Sequence, residues 1–317
     1  MTKQPKVAPY DGKVFSNLHP FEKKGFLKFL KWRFTGERSD WPDWVEVLNK
    51  TVLLERTAPR QIHYSVINHA TTLIQVDGIN ILTDPIWSDR CSPVSFAGPK
   101  RVHRPGINFD DLPPIDLVLI SHNHYDHLDL PTLKLLDQKF SPKFLVGLGQ
   151  EIFLKSEGLK DVTEMDWYER FDFKGMPIDF VPAHHWSGRG LFDRFQMLWG
   201  GFVISSLSGP VYFAGDTGHS PLFKELREKY GPMKLSFLPI GAYEPRWFMK
   251  AAHVNGEEAF LVHRELESEV SVGMHFGTFQ LTDESREGPM QKMQEIISKN
   301  PEAKPFIVPE FGKIYQL

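Results

Sequence analysis

The chain has 317 residues, 41% hydrophobic and 24% charged, and carries a net charge of −3. This is globular composition, enough for one large domain or two ordinary ones. The charge balance excludes a protein dominated by nonspecific phosphate binding, so nucleic acid is not an expected partner. No apolar run approaches the roughly 20 residues of a membrane-spanning helix.

Residues 1–58 read as an N-terminal arm, and residues 59–317 as a catalytic domain. The first ten residues have no apolar signal core. The lone cysteine, Cys91, forms no intrachain disulfide, so the fold does not rely on oxidation. The expected setting is cytoplasmic. Residues 21–34 read FEKKGFLKFLKWRF, five basic residues among seven apolar or aromatic ones. One reading wraps this arm over the domain with its aromatics buried. The other makes it an interfacial element on an anionic membrane. Gly25 weakens a continuous helix.

From residue 60 the pattern becomes strand-rich. Residues 62–67, 72–76 and 79–82 are short strands, with Asp77-Gly78 as a hairpin turn. Residues 84–114 are a long loop rich in Pro and Gly. A buried strand, 116–120, follows, then a helix over 131–139 with Pro131 early in it. Further strands are expected at 143–146, near Val162, at 177–182, 197–205, 211–214, 235–240 and 270–275, and near Phe306 and Ile314. Helices are expected over 150–157, 222–230, 256–267 and 287–298. There is no sustained βαβ rhythm. That mixture suggests one α/β (α+β) domain with two sheets sandwiched between helices.

The end of strand 116–120 carries the densest chemistry. Ser121-His122-Asn123-His124-Tyr125-Asp126-His127 contains H-x-H-x-D-H. Residues two apart on an extended exit point the same way, so His122 and His124 can chelate one ion. Asp126 and His127 are better placed for a second. Four ligands do not close two sites. Three later strand ends supply more candidates: His184-His185-Trp186, Asp216 in a Gly-flanked turn, and His275.

With that order of motifs the chain resembles the metallo-β-lactamase superfamily. It is most similar to the branch of N-acylphosphatidylethanolamine-hydrolysing phospholipases D. The stretches that carry the resemblance include LTDPIWS (82–88), GPKR (98–101), ISHNHYDHLD (120–129), MDWYE (165–169), FAGDTG (213–218), PIGAYEPRWFMK (239–250) and HFGTF (275–279).

The resemblance implies an αββα sandwich of two mixed sheets holding two divalent metal ions. Site one would be His122, His124 and His185. Site two would be Asp126, His127 and His275, with Asp216 bridging both. His185 is preferred over His184 because the family places its ligand just before Trp. Imidazole with carboxylate suits zinc best, with iron and manganese as alternatives.

The implied activity is hydrolysis of a phosphodiester by metal-activated hydroxide, with a phospholipid or related substrate. Alternatives are a lactonase, a phosphodiesterase for a soluble metabolite, or a metal-binding regulatory protein. A homodimer and peripheral membrane contact are compatible with the resemblance. Asp126 and His253 are the catalytic candidates, His253 as substrate binder or proton donor. His69 and Asp84 are expected beside the metals, Asp84 orienting a ligand His. Among aromatics on nearby loops, Trp186 and Phe248 are the best candidates for a substrate groove.

Overall fold

A computed structural model describes residues 3–47, 53–190 and 192–317. Residues 1–2 and 48–52 of the expected arm lie outside the described residues.

The first strands are β1 (Ile62–Asn68), β2 (Thr71–Val76), β3 (Ile79–Thr83), β4 (Leu117–Ile120), β5 (Lys143–Gly147) and β6 (Val162–Met165). Then come β7 (Glu169–Phe173), β8 (Met176–Val181), β9 (Gly201–Ser206), β10 (Gly209–Phe213) and β11 (Leu235–Pro239). The last are β12 (Val270–Met274), β13 (Phe306–Ile307) and β14 (Tyr315–Gln316). Among the described residues they form two seven-stranded sheets, ordered β14-β1-β2-β3-β4-β5-β6 and β13-β12-β11-β10-β9-β8-β7. The helices are α1 (Phe26–Thr35), α2 (Leu130–Phe140), α3 (Gln150–Ser156), α4 (Leu222–Tyr230), α5 (Arg246–Met249), α6 (Gly256–Glu265) and α7 (Gly288–Ser298). This is the expected αββα sandwich.

Strand β4 shows why four apolar residues in a row form a central strand. Leu117 and Leu119 face the core between the sheets, and Val118 and Ile120 pack in a second cluster with Leu133, Leu136 and Leu154 of α2 and α3. Both faces are buried, as expected of a parallel strand covered by helices. From the second sheet, Phe180, Phe202, Phe213 and Phe237 fill the core. Each fully buried side chain of this size contributes about 1.5–3 kcal/mol.

The sheet directions position the site. Strands β3 to β6 are parallel to one another, as are β10 to β13. Their carboxyl ends therefore gather along one edge of each sheet, the usual place for ligands in such sheets.

Three local expectations need correction. Strand β7 was not anticipated, although Phe171 and Phe173 alternate with outward Arg170 and Asp172 before a Lys174-Gly175 turn. The strand expected from residue 197 begins at Gly201. Before it, the Leu198 and Gly200 N–H groups donate to Leu148 O and Ser121 O, joining the two sheets at the site edge. Gly25 precedes α1 as its N-cap, so it adds no cost inside the helix.

The arm is built into the domain. Phe15 is fully buried in the main core. The buried Asp166 carboxylate accepts the N–H groups of Lys6, Val7 and Ala8 at 2.5, 2.8 and 3.1 Å. Trp32 stacks on Phe248 at 5.0 Å and its Nε1 donates to Asp283 at 2.9 Å. Within residues 21–34, Trp32 is buried, whereas Leu27 and Phe34 stand in solvent.

Asp166→Ala removes one charged acceptor from four backbone donors, Trp167 N–H and the three in the arm. It should cost about 2–3 kcal/mol and expose the chain before Phe15 to protease. Thermal melts and timed digestion check this; an unchanged cleavage pattern would show that the first residues are held by other contacts.

Candidate metal centre

Six chain segments at one edge of the sandwich deliver the side chains. The loop after β4 brings His122, His124, Asp126 and His127. The ends of β8, β10 and β12 lead into His185, Asp216 and His275, and the turn between β1 and β2 brings His69. Asp84 follows β3. Gly215 has φ +60° and a Cβ there would lie 2.6 Å from Ser121 Cβ. Only glycine lets the chain before Asp216 pass so close to the histidine loop.

The side chains fall into two groups about one carboxylate. His122 Nε2 is 2.8 Å from His124 Nδ1, and His185 Nε2 is 3.3 Å from it. On the other side, Asp126 Oδ2 lies 3.2 Å from His127 Nε2, 3.3 Å from His275 Nε2 and 2.9 Å from His69 Nε2. Asp216 Oδ2 stands between the groups. It is 3.2 Å from both His127 and His275, 3.8 Å from His185 and 4.0 Å from His122.

Hydrogen bonds behind the rings set their tautomers. Ser121 Oγ donates to Asp84 Oδ2 at 2.6 Å and so accepts from His122 Nδ1–H at 2.9 Å. His127 Nδ1–H donates to Asp84 Oδ2 at 2.7 Å. His185 Nδ1–H donates to Ala252 O at 2.9 Å. His122 and His185 therefore turn a bare Nε2 lone pair inward, and His127 turns its Nε2 toward the Asp126 and Asp216 carboxylates. Two such lone pairs meet His124 Nδ1, which carries at most one proton to share between them, and Asp216 Oδ1 is buried without a hydrogen-bond partner. Convergent nitrogen and carboxylate lone pairs of this kind fit divalent cations.

The electrostatics divide the same way. Burial pushes His124 and His185 down to about 3, and His122 well below its ordinary value. These three are neutral donors at physiological pH. Across the site, burial opposes ionisation, but His275 and His127 hold Asp216 well below the carboxylate range. His127 does the same for Asp126. Burial also opposes protonation of His275, yet Asp216 and Asp126 raise it to about 9. The two carboxylates thus demand positive charge, which protons supply here and bound cations would replace.

The other expected residues are placed as follows. His184 points away, its ring edge-on to Phe21 at 5.2 Å. His69 comes closer than a supporting residue need, within the group of Asp126, His127 and His275. His253 Nδ1 is 3.9 Å from Asp216 Oδ2, without a hydrogen-bond partner. Burial takes its pKa down to about 4. Trp186 lies 4.2 Å from the His124 ring.

A cavity of about 760 Å³ opens onto this cluster. His124, Asp126, Asp216 and His253 form its floor, with Trp186, Phe248 and Met249 on its walls. Trp87 and Trp199 pack elsewhere in the core. Sequence reading missed the arm's share of the walls: Phe21, Phe29 and Trp32. Asn17 ties the arm to the cluster, donating to His185 O at 2.8 Å and accepting from its N–H at 3.1 Å. Arg189 was also missed. Its Nη1 donates to Asn123 O and Leu128 O at 2.9 and 2.8 Å, gripping both ends of the histidine loop.

A family model for the beta-lactamase superfamily domain matches residues 79–276. This chain belongs to the metallo-β-lactamase superfamily. Within that superfamily it is 39% identical over 265 residues to the N-acyl-phosphatidylethanolamine-hydrolyzing phospholipase D 1 of Caenorhabditis elegans, covering 79% of this chain and 74% of the relative. The mitochondrial N-acyl-phosphatidylethanolamine-hydrolyzing phospholipase D of Saccharomyces cerevisiae is 36% identical, over 75% of this chain and 52% of the yeast protein. The solved structure of Igni18, a metallo hydrolase from the archaeon Ignicoccus hospitalis, shares the fold. It has a TM-score of 0.61 and 24% identity, covering 81% of this chain and 98% of that one. The protein is a metal-dependent hydrolase of the metallo-β-lactamase fold.

Gly215→Ala should force the backbone off Ser121 and lower stability by about 1–3 kcal/mol. Denaturant unfolding measures it. A variant as stable as the parent would mean that the approach relaxes freely.

Proposed function

We propose that this chain is a phosphodiesterase of the phospholipase D type, acting on N-acylphosphatidylethanolamine or a closely related phospholipid. The observation that carries this reading is the aromatic-walled cavity opening directly onto the imidazole–carboxylate cluster. Its size lies within the range of small-molecule sites, and its walls suit an apolar substrate. The shared family with phospholipases D that hydrolyse such lipids supports the substrate class.

His122, His124 and His185 would hold one ion, and Asp126, His127 and His275 the other, with Asp216 between them. Zinc suits this donor set best. Two such cations, when bound, would lower the pKa of a water between them and neutralise charge on the phosphoryl oxygens.

The reaction itself is a hydrolysis. The bond between phosphorus and the N-acylethanolamine oxygen breaks, water oxygen goes to phosphorus, and a proton goes to the departing alcohol. Phosphatidic acid and N-acylethanolamine result. Asp84 keeps the His127 ring turned so that Nε2 faces the cluster. His253, neutral at physiological pH, serves as a hydrogen-bonding group for bound substrate rather than as a titrating acid. Trp186 and Phe248 line the path of the apolar chains and help to exclude water.

A panel of N-acylphosphatidylethanolamine, soluble phosphodiesters and lactones tests the assignment on the metal-supplemented full chain. Turnover of the lipid with release of phosphatidic acid is expected. His122→Ala and Asp216→Asn should each reduce it to background while the far-ultraviolet circular dichroism is retained. Inactivity on the lipid beside rapid lactone opening would refute the phospholipase reading.

A further inference from the structure

Three basic side chains line the cavity: Lys24, Arg189 and Arg194. Two of them are already engaged. Lys24 Nζ pairs with Glu22 at 2.5 Å. Arg189 Nη1 grips Asn123 O and Leu128 O, and the charges of Asp129 and Asp193 act on it.

Arg194 differs. Its Nη1 donates to Lys24 O at 3.2 Å, and its buried Nε has no hydrogen-bond partner. Burial lowers its pKa, and no carboxylate among the described residues counters that shift. A guanidinium stays charged all the same. Holding such a charge half-buried without an anion is costly, and a bound anion would relieve the cost.

Its placement says which part of a ligand it meets. Arg194 Cζ is 4.2 Å from the centre of the Trp186 ring, and that ring is 4.2 Å from the ring of His124. Two short contacts thus bring a fixed positive charge close to the metal cluster. The backbone beside it is pinned: Phe195 N donates to Ser187 O, and Phe195 O accepts from Phe15 N, both at 2.8 Å. The charge is therefore held in place before a ligand arrives, which reduces the ordering cost of binding.

A phosphodiester belongs at the imidazole–carboxylate cluster, so Arg194 meets what is attached to the phosphate. A headgroup with a free ammonium is repelled there. N-acylation removes that charge and leaves a neutral amide. A carboxylate on the carbon that bears the amide goes further, because it accepts charge-assisted hydrogen bonds from the guanidinium.

We propose that Arg194 is a specificity-determining residue that selects an N-acylated headgroup carrying a carboxylate, as in N-acylphosphatidylserine, over its ethanolamine counterpart. In that hydrolysis the bond between phosphorus and the serine oxygen breaks. Water oxygen goes to phosphorus, a proton goes to the serine oxygen, and N-acylserine leaves. Turnover of this lipid rests on the phospholipid reading above; the preference for a carboxylate at Arg194 does not.

Paired kinetics on the zinc-supplemented full chain test the proposal, with N-acylphosphatidylserine and N-acylphosphatidylethanolamine of matched acyl chains dispersed in neutral detergent. The ratio of their kcat/KM values should favour the serine lipid on the order of tenfold and shrink with added salt. Arg194→Gln should bring the ratio close to one, and Arg194→Lys should restore part of it, since lysine keeps the charge without the planar fork. Damage that slows both lipids together cancels in the ratio. Calorimetric titration of the same proteins with N-acetyl-O-phosphoserine and N-acetyl-O-phosphoethanolamine reads the preference without turnover, and the same pattern is expected. Equal ratios in the parent and Arg194→Gln, or a parent that favours the ethanolamine compounds, would overturn the proposal. A chain that turns over neither lipid but binds the phosphoserine compound more tightly through Arg194 would uphold it and reject the phospholipase reading. Turnover of both lipids with no preference would do the reverse.

Discussion

Five imidazoles crowd one buried carboxylate oxygen. Asp216 Oδ2 has nitrogens of His127, His275, His185, His253 and His122 at 3.2 to 4.0 Å. Burying an anion costs several kcal/mol unless positive charge is close. Bringing bare imidazole lone pairs together gains nothing unless a cation or proton lies among them. Much of the architecture can be understood as holding this arrangement against its own cost. The parallel strands end on one edge, Gly215 allows the close approach, and Asp84 and Ala252 O fix the ring orientations.

Strand ends define the candidate metal centre, whereas the cavity above it is assembled from distant segments. Its walls combine the loop after His185, helix α5 and the arm. The same arm contacts His185 through Asn17 and carries the exposed face of α1. Cluster geometry and the environment at the cavity mouth are thus coupled through residues 15–35, which the superfamily match does not include.

The histidine loop is legible in the sequence because its information is local. A two-residue spacing at a strand exit puts His122 and His124 on one side whatever else the chain does. The later side chains are legible as strand ends, and the resemblance supplies their order. The structure brings all seven to one place. Choosing His185 over His184 needed the resemblance, since both follow the same strand; in space they diverge, His184 toward Phe21 and His185 toward His124. The cavity walls were much less legible. Contacts such as Phe21 with His184 and Trp32 with Phe248 join residues far apart in the chain, and no periodicity encodes them. Strand β7 was overlooked for another reason. It is an edge strand of five residues with one solvent face, and such short alternations resemble turns.

The central claim is that the two groups around Asp216 each hold a cation. Elemental analysis of the full chain, supplemented with zinc and then desalted, tests it most directly. About two ions per chain are expected, with fewer retained by a folded His122→Ala variant. A chain that retains no metal, or the same metal content in that variant, would contradict the claim.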